Sequence, residues 1–297
     1  MKLARSDKWF VGSIYIFLVL LLFVTFYPFW NALVISLNSG SDTARGGITF
    51  WPRDFTFENY LFVMKNDALL QGFMISVLRV IAGTILALIF TGLFAYAMSK
   101  KHLIGRRAVM VYCIITMVFS GGLIPSFIIN RNLGLMDNFW VMVIPSIISV
   151  WNMIVFRTFF EEIPPEMEES AKLDGCGYFG SFFRVILPLS KPVFATLGLF
   201  TAVYHWNDWF TASIYINTQS LKPIQTILQQ VLSSTVMMET MVNSNASAQE
   251  FLQRTRSVTN KSITMTTMIV ATLPIVCVYP FLQKYFVKGV MIGAVKG

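Results

Sequence analysis

Hydrophobic positions along this chain fall into blocks of membrane length. Six apolar stretches, over roughly 10–37, 70–98, 108–130, 139–160, 192–216 and 263–287, are each long enough to cross a hydrocarbon core of about 30 Å. The pattern predicts an all-α membrane protein with six transmembrane helices. Two of the polar intervals between the blocks stand out. The longest, 217–262, is rich in glutamine and poor in turn breakers after Pro223, and it is expected to hold a helical piece. The other, 161–191, reads EEIPPEMEESAKLDGCGYFGSFFRVILPLSK and holds Glu161, Glu162, Glu166, Glu168, Glu169 and Asp174, six of the chain's 15 acidic residues. So apolar a chain that gathers its carboxylates in one loop is expected to use that loop to dock a soluble partner.

The apolar blocks carry interruptions of their own. Pro28, Pro145, Pro274 and Pro280 lie inside spans, and Gly121-Gly122 with Pro125 breaks the third near its middle. Such breaks are tolerated where neighbouring helices or water satisfy the freed backbone groups. Arg79 sits about two turns into the second span, where a charge must pair, snorkel or face water. The fifth span holds Tyr204, His205, Trp206, Asn207, Asp208 and Trp209, the segment least compatible with lipid in any span. Aromatic faces beside hydrogen-bonding groups suit a sugar, so these residues and Arg79 are candidates for a substrate pathway. An interfacial aromatic belt explains the tryptophans equally well.

Composition agrees with the pattern. The chain is 55% hydrophobic and 13% charged, with mean hydropathy +0.64, whereas a soluble domain carries about 25% charged residues. The net charge of +8 needs no nucleic acid, because basic residues flanking spans set topology. Lysine and arginine are richer in the N-terminus, the turn after the second span, the 161–191 loop and the C-terminal tail than on the opposite side. The positive-inside rule then puts both termini and that loop in the cytoplasm. The first apolar run is too long for the core of a cleavable leader. Cys113, Cys176 and Cys277 suggest no disulfide and no metal-ligand spacing, and no metal site is expected.

The acidic loop has helical-hairpin chemistry. Pro164-Pro165 starts a helix whose first turn is acidic, Glu168 and Lys172 form a favourable i, i+4 pair, and Gly175 ends it. A second short helix is expected from Tyr178 to Val185, stopping before Pro188. The face carrying Met167, Ser170 and Ala171 is shaped to enter a groove.

The spacing Glu169-Ser170-Ala171, Gly175, then Val185-Ile186-Leu187-Pro188, with Asp174 before the glycine, resembles the signature of permease subunits of binding-protein-dependent ABC importers. Ser170 and Val185 are mild departures from it. Phe50-Trp51-Pro52, Glu58-Asn59-Tyr60, the Trp206-Asn207 pair and the ending Gly293-Ala294-Val295-Lys296-Gly297 resemble the carbohydrate-uptake, maltose-transport-like branch, in the subgroup for oligosaccharides and acidic glycans. The resemblance implies a type I ABC importer permease fold, with an N-terminus over 1–9 and a single permease domain over 10–297 in a bacterial inner membrane. It implies three kinds of partner: a second permease in a heterodimer, two copies of a cytoplasmic ATPase and an extracytoplasmic solute-binding protein. The ATPase would contact Glu168, Glu169, Ser170, Ala171, Asp174, Gly175, Leu187 and Pro188. The outer loop 217–262 would reach into the binding protein, and the tail 288–297 would run along the ATPase. ATP and Mg would be used by the ATPase alone, since this chain has no phosphate-binding Gly-x-x-x-x-Gly-Lys-Ser/Thr loop and no cofactor of its own is expected. Two other classes stand beside this one: an ion-coupled carrier using His205 and Asp208, which leaves the hairpin unexplained, and a membrane enzyme, for which two residues make a poor constellation.

Overall fold

The computed structural model describes residues 5–243 and 259–294, with side chains over 9–234 and 259–278. Regular structure among these residues is helical, apart from one isolated antiparallel bridge between Asn38 and Phe55. In order come α1 (Arg5–Ser36), α2 (Gly40–Arg45), α3 (Glu58–Lys65), α4 (Asp67–Ser99), α5 (Arg106–Val118), α6 (Leu123–Asn132) and α7 (Val150–Glu161). There follow α8 (Pro165–Leu173), α9 (Tyr178–Ser181), α10 (Leu187–Leu189), α11 (Lys191–Asn207), α12 (Phe210–Tyr215), α13 (Ile224–Asn243) and α14 (Asn260–Ala294).

Among the described residues three helices, α1 from Trp9, α4, and α14 over Asn260–Val278, are long and apolar enough to cross a membrane unaided. The other three expected spans are bent pairs. Helices α5 and α6 meet at 116°, the short 3₁₀ turns of Phe139–Ser146 meet α7 at 47°, and Tyr178–Leu189 meets α11 at 86°. The first bend falls where Gly121-Gly122 was expected to break the third span, and it is far sharper than a kink. The fifth span, expected to run to 216, stops at Asn207 and restarts at Phe210. Of the tail, 288–294 continue α14 and 295–297 lie outside the described residues, as do 244–258 of the long loop. Its expected helical piece is α13.

The chain packs as two compact units. One comprises the residues up to Leu70 together with Leu228–Leu273. Here the segment after α1 is locked by polar side chains rather than by a sheet. Asn59 Nδ2 donates to the carbonyls of Ser36 and Asn38 at 2.9 Å each, and Ser36 Oγ and Tyr60 Oη are 2.8 Å apart. That gives the Glu58-Asn59-Tyr60 motif a structural task. The unit's aromatic edge is held by Trp30 Nε1, which donates to the Phe50 carbonyl at 2.9 Å.

The second unit, Gln71–Ile227 with the chain from Pro274 onward, contains the candidate sites. Helix α7 packs on α5 and α11. The core around it joins Tyr96 and Met98 of α4, Met153, Phe156 and Phe160 of α7, Phe182 and Ile186, and Leu197 of α11. A smaller cluster gathers Val141, Met142, Ala212, Tyr215 and Ile216. Within a membrane such a core is held by close van der Waals packing rather than by the expulsion of water.

Candidate functional site

The hairpin forms as its residues dictate. Pro165 opens α8, where its missing N–H costs nothing, and Glu166 and Glu168 lie in the first turn, near the positive end of the helix dipole. The chain then reverses at Gly175, whose φ of +81° is a conformation that strains any residue with a Cβ. The reversal is pinned by Gly175 N–H to the Lys172 carbonyl at 3.0 Å and Cys176 N–H to the Ala171 carbonyl at 2.9 Å. The second helix does not stop before Pro188. Tyr178 to Leu189 is continuous, through a π turn at Phe182–Ile186 in which Leu187 N–H reaches back to the Phe182 carbonyl. The wider turn loosens the ladder just ahead of the proline, so its ring and missing donor break nothing.

Helix α8 presents two faces. Glu168 and Ala171 are buried against the chain's own bundle. Glu168 is tied there by three groups: Tyr96 Oη donates to Oε1 at 2.8 Å, Lys100 pairs with Oε2, and Lys172 Nζ lies 3.2 Å from Oε1. Lys100 also sits 4.1 Å from the centroid of the Tyr96 ring. Burial pushes the Glu168 carboxyl up, but the hydrogen bonds from Lys100 and Tyr96 and the charge of Lys100 outweigh it, holding the group below its ordinary range. The opposite face, with Met167, Glu169, Ser170, Leu173 and Asp174, is exposed, Leu173 at 89%. Of the residues expected to meet an ATPase, Glu169, Ser170, Asp174, Gly175 and Pro188 are open, Leu187 is half-buried, and Glu168 and Ala171 face inward. Glu161, at the end of α7, pairs with Arg106 and with Arg157, the latter at 3.0 Å.

The polar segment of the fifth span does not form one cluster. Arg79, 1% exposed, pairs with the Asp208 carboxylate and donates to the Asp208 carbonyl at 2.6 Å. Asp208 Oδ1 also accepts from Thr211 N–H at 3.1 Å, capping α12 and explaining why the span breaks there. Trp206 is buried edge-on against Phe73, and the Trp209 carbonyl accepts from Thr226 Oγ1 at 3.0 Å. Asn207 is exposed. Tyr204 and His205 line a groove of about 550 Å³ together with Ser149, Trp151, Asn152, Phe200 and Thr201. Trp151, Asn152 and Thr201 give no signal in the sequence, because the adjacent first two and the lone third lie inside apolar runs.

A third feature was equally hidden. Asp137, at a positive φ of 51°, accepts from Asn217 N–H at 2.9 Å, Thr218 N–H at 2.8 Å and Thr218 Oγ1 at 2.7 Å. Those bonds hold its carboxyl below the ordinary range and fix the start of the long loop. No group of three or more His, Cys, Asp or Glu suited to a metal occurs among the described residues.

An all-helical bundle with bent, membrane-length spans is a membrane-protein fold among the described residues, and comparison with known proteins gives its family. Residues 83–292 match the family described as "Binding-protein-dependent transport system inner membrane component", and the chain belongs to it. It is 36% identical to the polygalacturonan/rhamnogalacturonan transport system permease protein YtcP of Bacillus subtilis (strain 168), over 98% of this chain and 100% of that one. It is 38% identical to protein LplC of the same organism, over 92% and 90% of the two chains. Among solved structures, a chain from a bacterial ABC transporter involved in the import of the acidic polysaccharide alginate superposes with a TM-score of 0.85 at 29% identity, covering 96% of this chain and 99% of that one. The chain is thus an ABC importer permease, the class its hairpin spacing resembled.

Proposed function

We propose that this chain forms half of the translocation pore of an ATP-driven, binding-protein-dependent importer of sugars or oligosaccharides, and that the 161–191 hairpin couples it to a separate ATPase. The observation that carries this reading is the two-faced helix α8. Its exposed face offers Glu169, Ser170, Leu173 and Asp174 to a partner, while Glu168 on the other face grips Tyr96 and Lys100 at the end of α4. A force on the hairpin is thereby delivered to a membrane-length helix. The sugar class comes from the relatives, among them permeases for polygalacturonan/rhamnogalacturonan and arabinooligosaccharides.

On this reading both termini and the hairpin are cytoplasmic, a second permease completes the pore, and two ATPase copies take up the hairpins. A solute-binding protein delivers substrate from outside, near the loop that begins at Asn217. The chain binds no cofactor and catalyses no reaction; ATP and Mg belong to the ATPase. The ion-coupled alternative gains nothing from Asp208, whose carboxylate already has Arg79 and Thr211 as partners. Co-purification with the neighbouring subunits, followed by ATPase assays across a panel of sugar-loaded binding proteins, tests the proposal. Stimulation by a subset of glycans is expected. ATP-independent uptake that collapses with an ionophore would overturn it.

A further inference from the structure

The groove beside Tyr204 and His205 has a composition with a consequence for what passes it. None of its lining residues is Asp, Glu, Lys or Arg. The nearby charges, Arg79 and Asp208, are consumed by each other in the buried pair. What the groove offers instead is hydroxyls, an amide and flat rings. Asn152 Nδ2 donates to Thr201 Oγ1 at 3.2 Å, fixing the amide, and Ser149 Oγ caps α7 by accepting from Asn152 N–H at 3.3 Å. Trp151 and Phe200 stand edge to face with centroids 6.3 Å apart, and both are exposed.

His205 closes the floor of the groove. His205 is 1% exposed, and its Nδ1 has no hydrogen-bonding partner in the chain. The other edge of the imidazole lies against Gly83 of α4, where a Cβ would overlap it. The volume of about 550 Å³ falls within the range of about 300–1,000 Å³ typical of small-molecule sites.

We infer that this groove is a subsite for an uncharged glycosyl unit, which deepens the importer proposal and rests on it. The C–H face of a sugar ring lies on Trp151, and its hydroxyls bond to Asn152, Thr201 and Tyr204. The groove selects hydroxyls over carboxylates, since burying a carboxylate there would leave it without a counter-charge. If the whole system imports an acidic glycan, its carboxylates are read elsewhere in the assembly.

The test uses the complete complex in proteoliposomes, with two probes of equal length and the same α-1,4 linkage, an oligogalacturonate and the neutral galacto-oligosaccharide obtained by reducing its carboxylates. These differ at each ring only in a hydroxymethyl group against a carboxylate. Trp151→Ala and Asn152→Ala should each raise the KM for the neutral probe about tenfold, the scale of one stacking or hydrogen-bonding contact, while the subunits still co-purify. Trp151→Phe, which keeps an aromatic face, should restore most of the loss. Unchanged KM in an assembled Asn152→Ala or Trp151→Ala complex, or a loss confined to the acidic probe, would overturn the subsite. A parent complex that moves no glycan at all would overturn the importer proposal itself, so the two failures are told apart.

Discussion

Tyr96 Oη donates a 2.8 Å hydrogen bond to Glu168 Oε1, tying the hairpin helix α8 to the end of α4 across 72 positions of sequence. Lys100, just past the end of α4, takes the other carboxylate oxygen. Glu168 is thus the point at which hairpin and bundle become one body. Tyr96→Phe should weaken this anchor by about 1.5 kcal/mol and Glu168→Ala by about 3 kcal/mol, the larger loss reflecting the half-buried ammonium it leaves behind. Hydrogen exchange of the 165–175 amides reads this directly. The expected result is exchange faster by roughly tenfold in the first variant and more in the second.

The same anchor has a pH signature. Because the folded-state pKa of Glu168 is lowered, its contribution is complete above the ordinary carboxylate value of about 4.3 and is lost as pH falls through the lower folded-state value. Protection of the α8 amides should be constant from neutral pH down to that ordinary value and fall below it. Glu168→Gln should abolish that fall without affecting titrations elsewhere.

Arg79 and Asp208 behave as structure in this account. Each charge is buried with the other, and removing one partner leaves an uncompensated ion costing about 3–5 kcal/mol. Arg79→Met alone should reduce the yield of assembled complex. Arg79→Met with Asp208→Asn, which keeps the cap on Thr211, should recover much of it. Size-exclusion profiles of the parent and the two variants decide the matter. A fully assembled Arg79→Met complex with altered sugar preference would return Arg79 to the substrate path.

Asp137 clamps the turn from which the long loop departs. Asp137→Ala removes the acceptor for two backbone N–H groups and one hydroxyl, and should loosen Asn217 and Thr218. Asp137→Asn keeps one carbonyl oxygen and tolerates the positive φ, so its effect should be intermediate. Spin labels placed at Gln219 report the mobility. Identical spectra in all three proteins would show that the clamp positions nothing.

Much of this fold was legible in the sequence because membrane-length apolar blocks and proline–glycine punctuation are local signals. Pro165, Gly175 and the Glu168–Lys172 pair did what their positions implied. The π turn ahead of Pro188 was not legible, since it depends on how Phe182 and Ile186 enter the core. The Arg79–Asp208 pair and the Asp137 clamp join residues 129 and about 80 positions apart, and neither partner announces the other. Spacing alone does not say which face of a short helix turns inward, so nothing in the sequence shows that Glu168 points to the bundle. The fifth-span segment looked like one site because it is contiguous; helical rotation sends its residues to separate places.

The central claim is that the hairpin transmits a partner's ATP cycle to the pore, with Gly175 as the pivot. The most direct measurement is ATP-dependent glycan uptake, set against ATP hydrolysis, in reconstituted complexes carrying Gly175→Val and Gly175→Asn. Asparagine tolerates the left-handed conformation and valine does not. The account predicts that the asparagine variant transports, while the valine variant assembles and hydrolyses ATP without uptake. Parental uptake in the valine variant would contradict it.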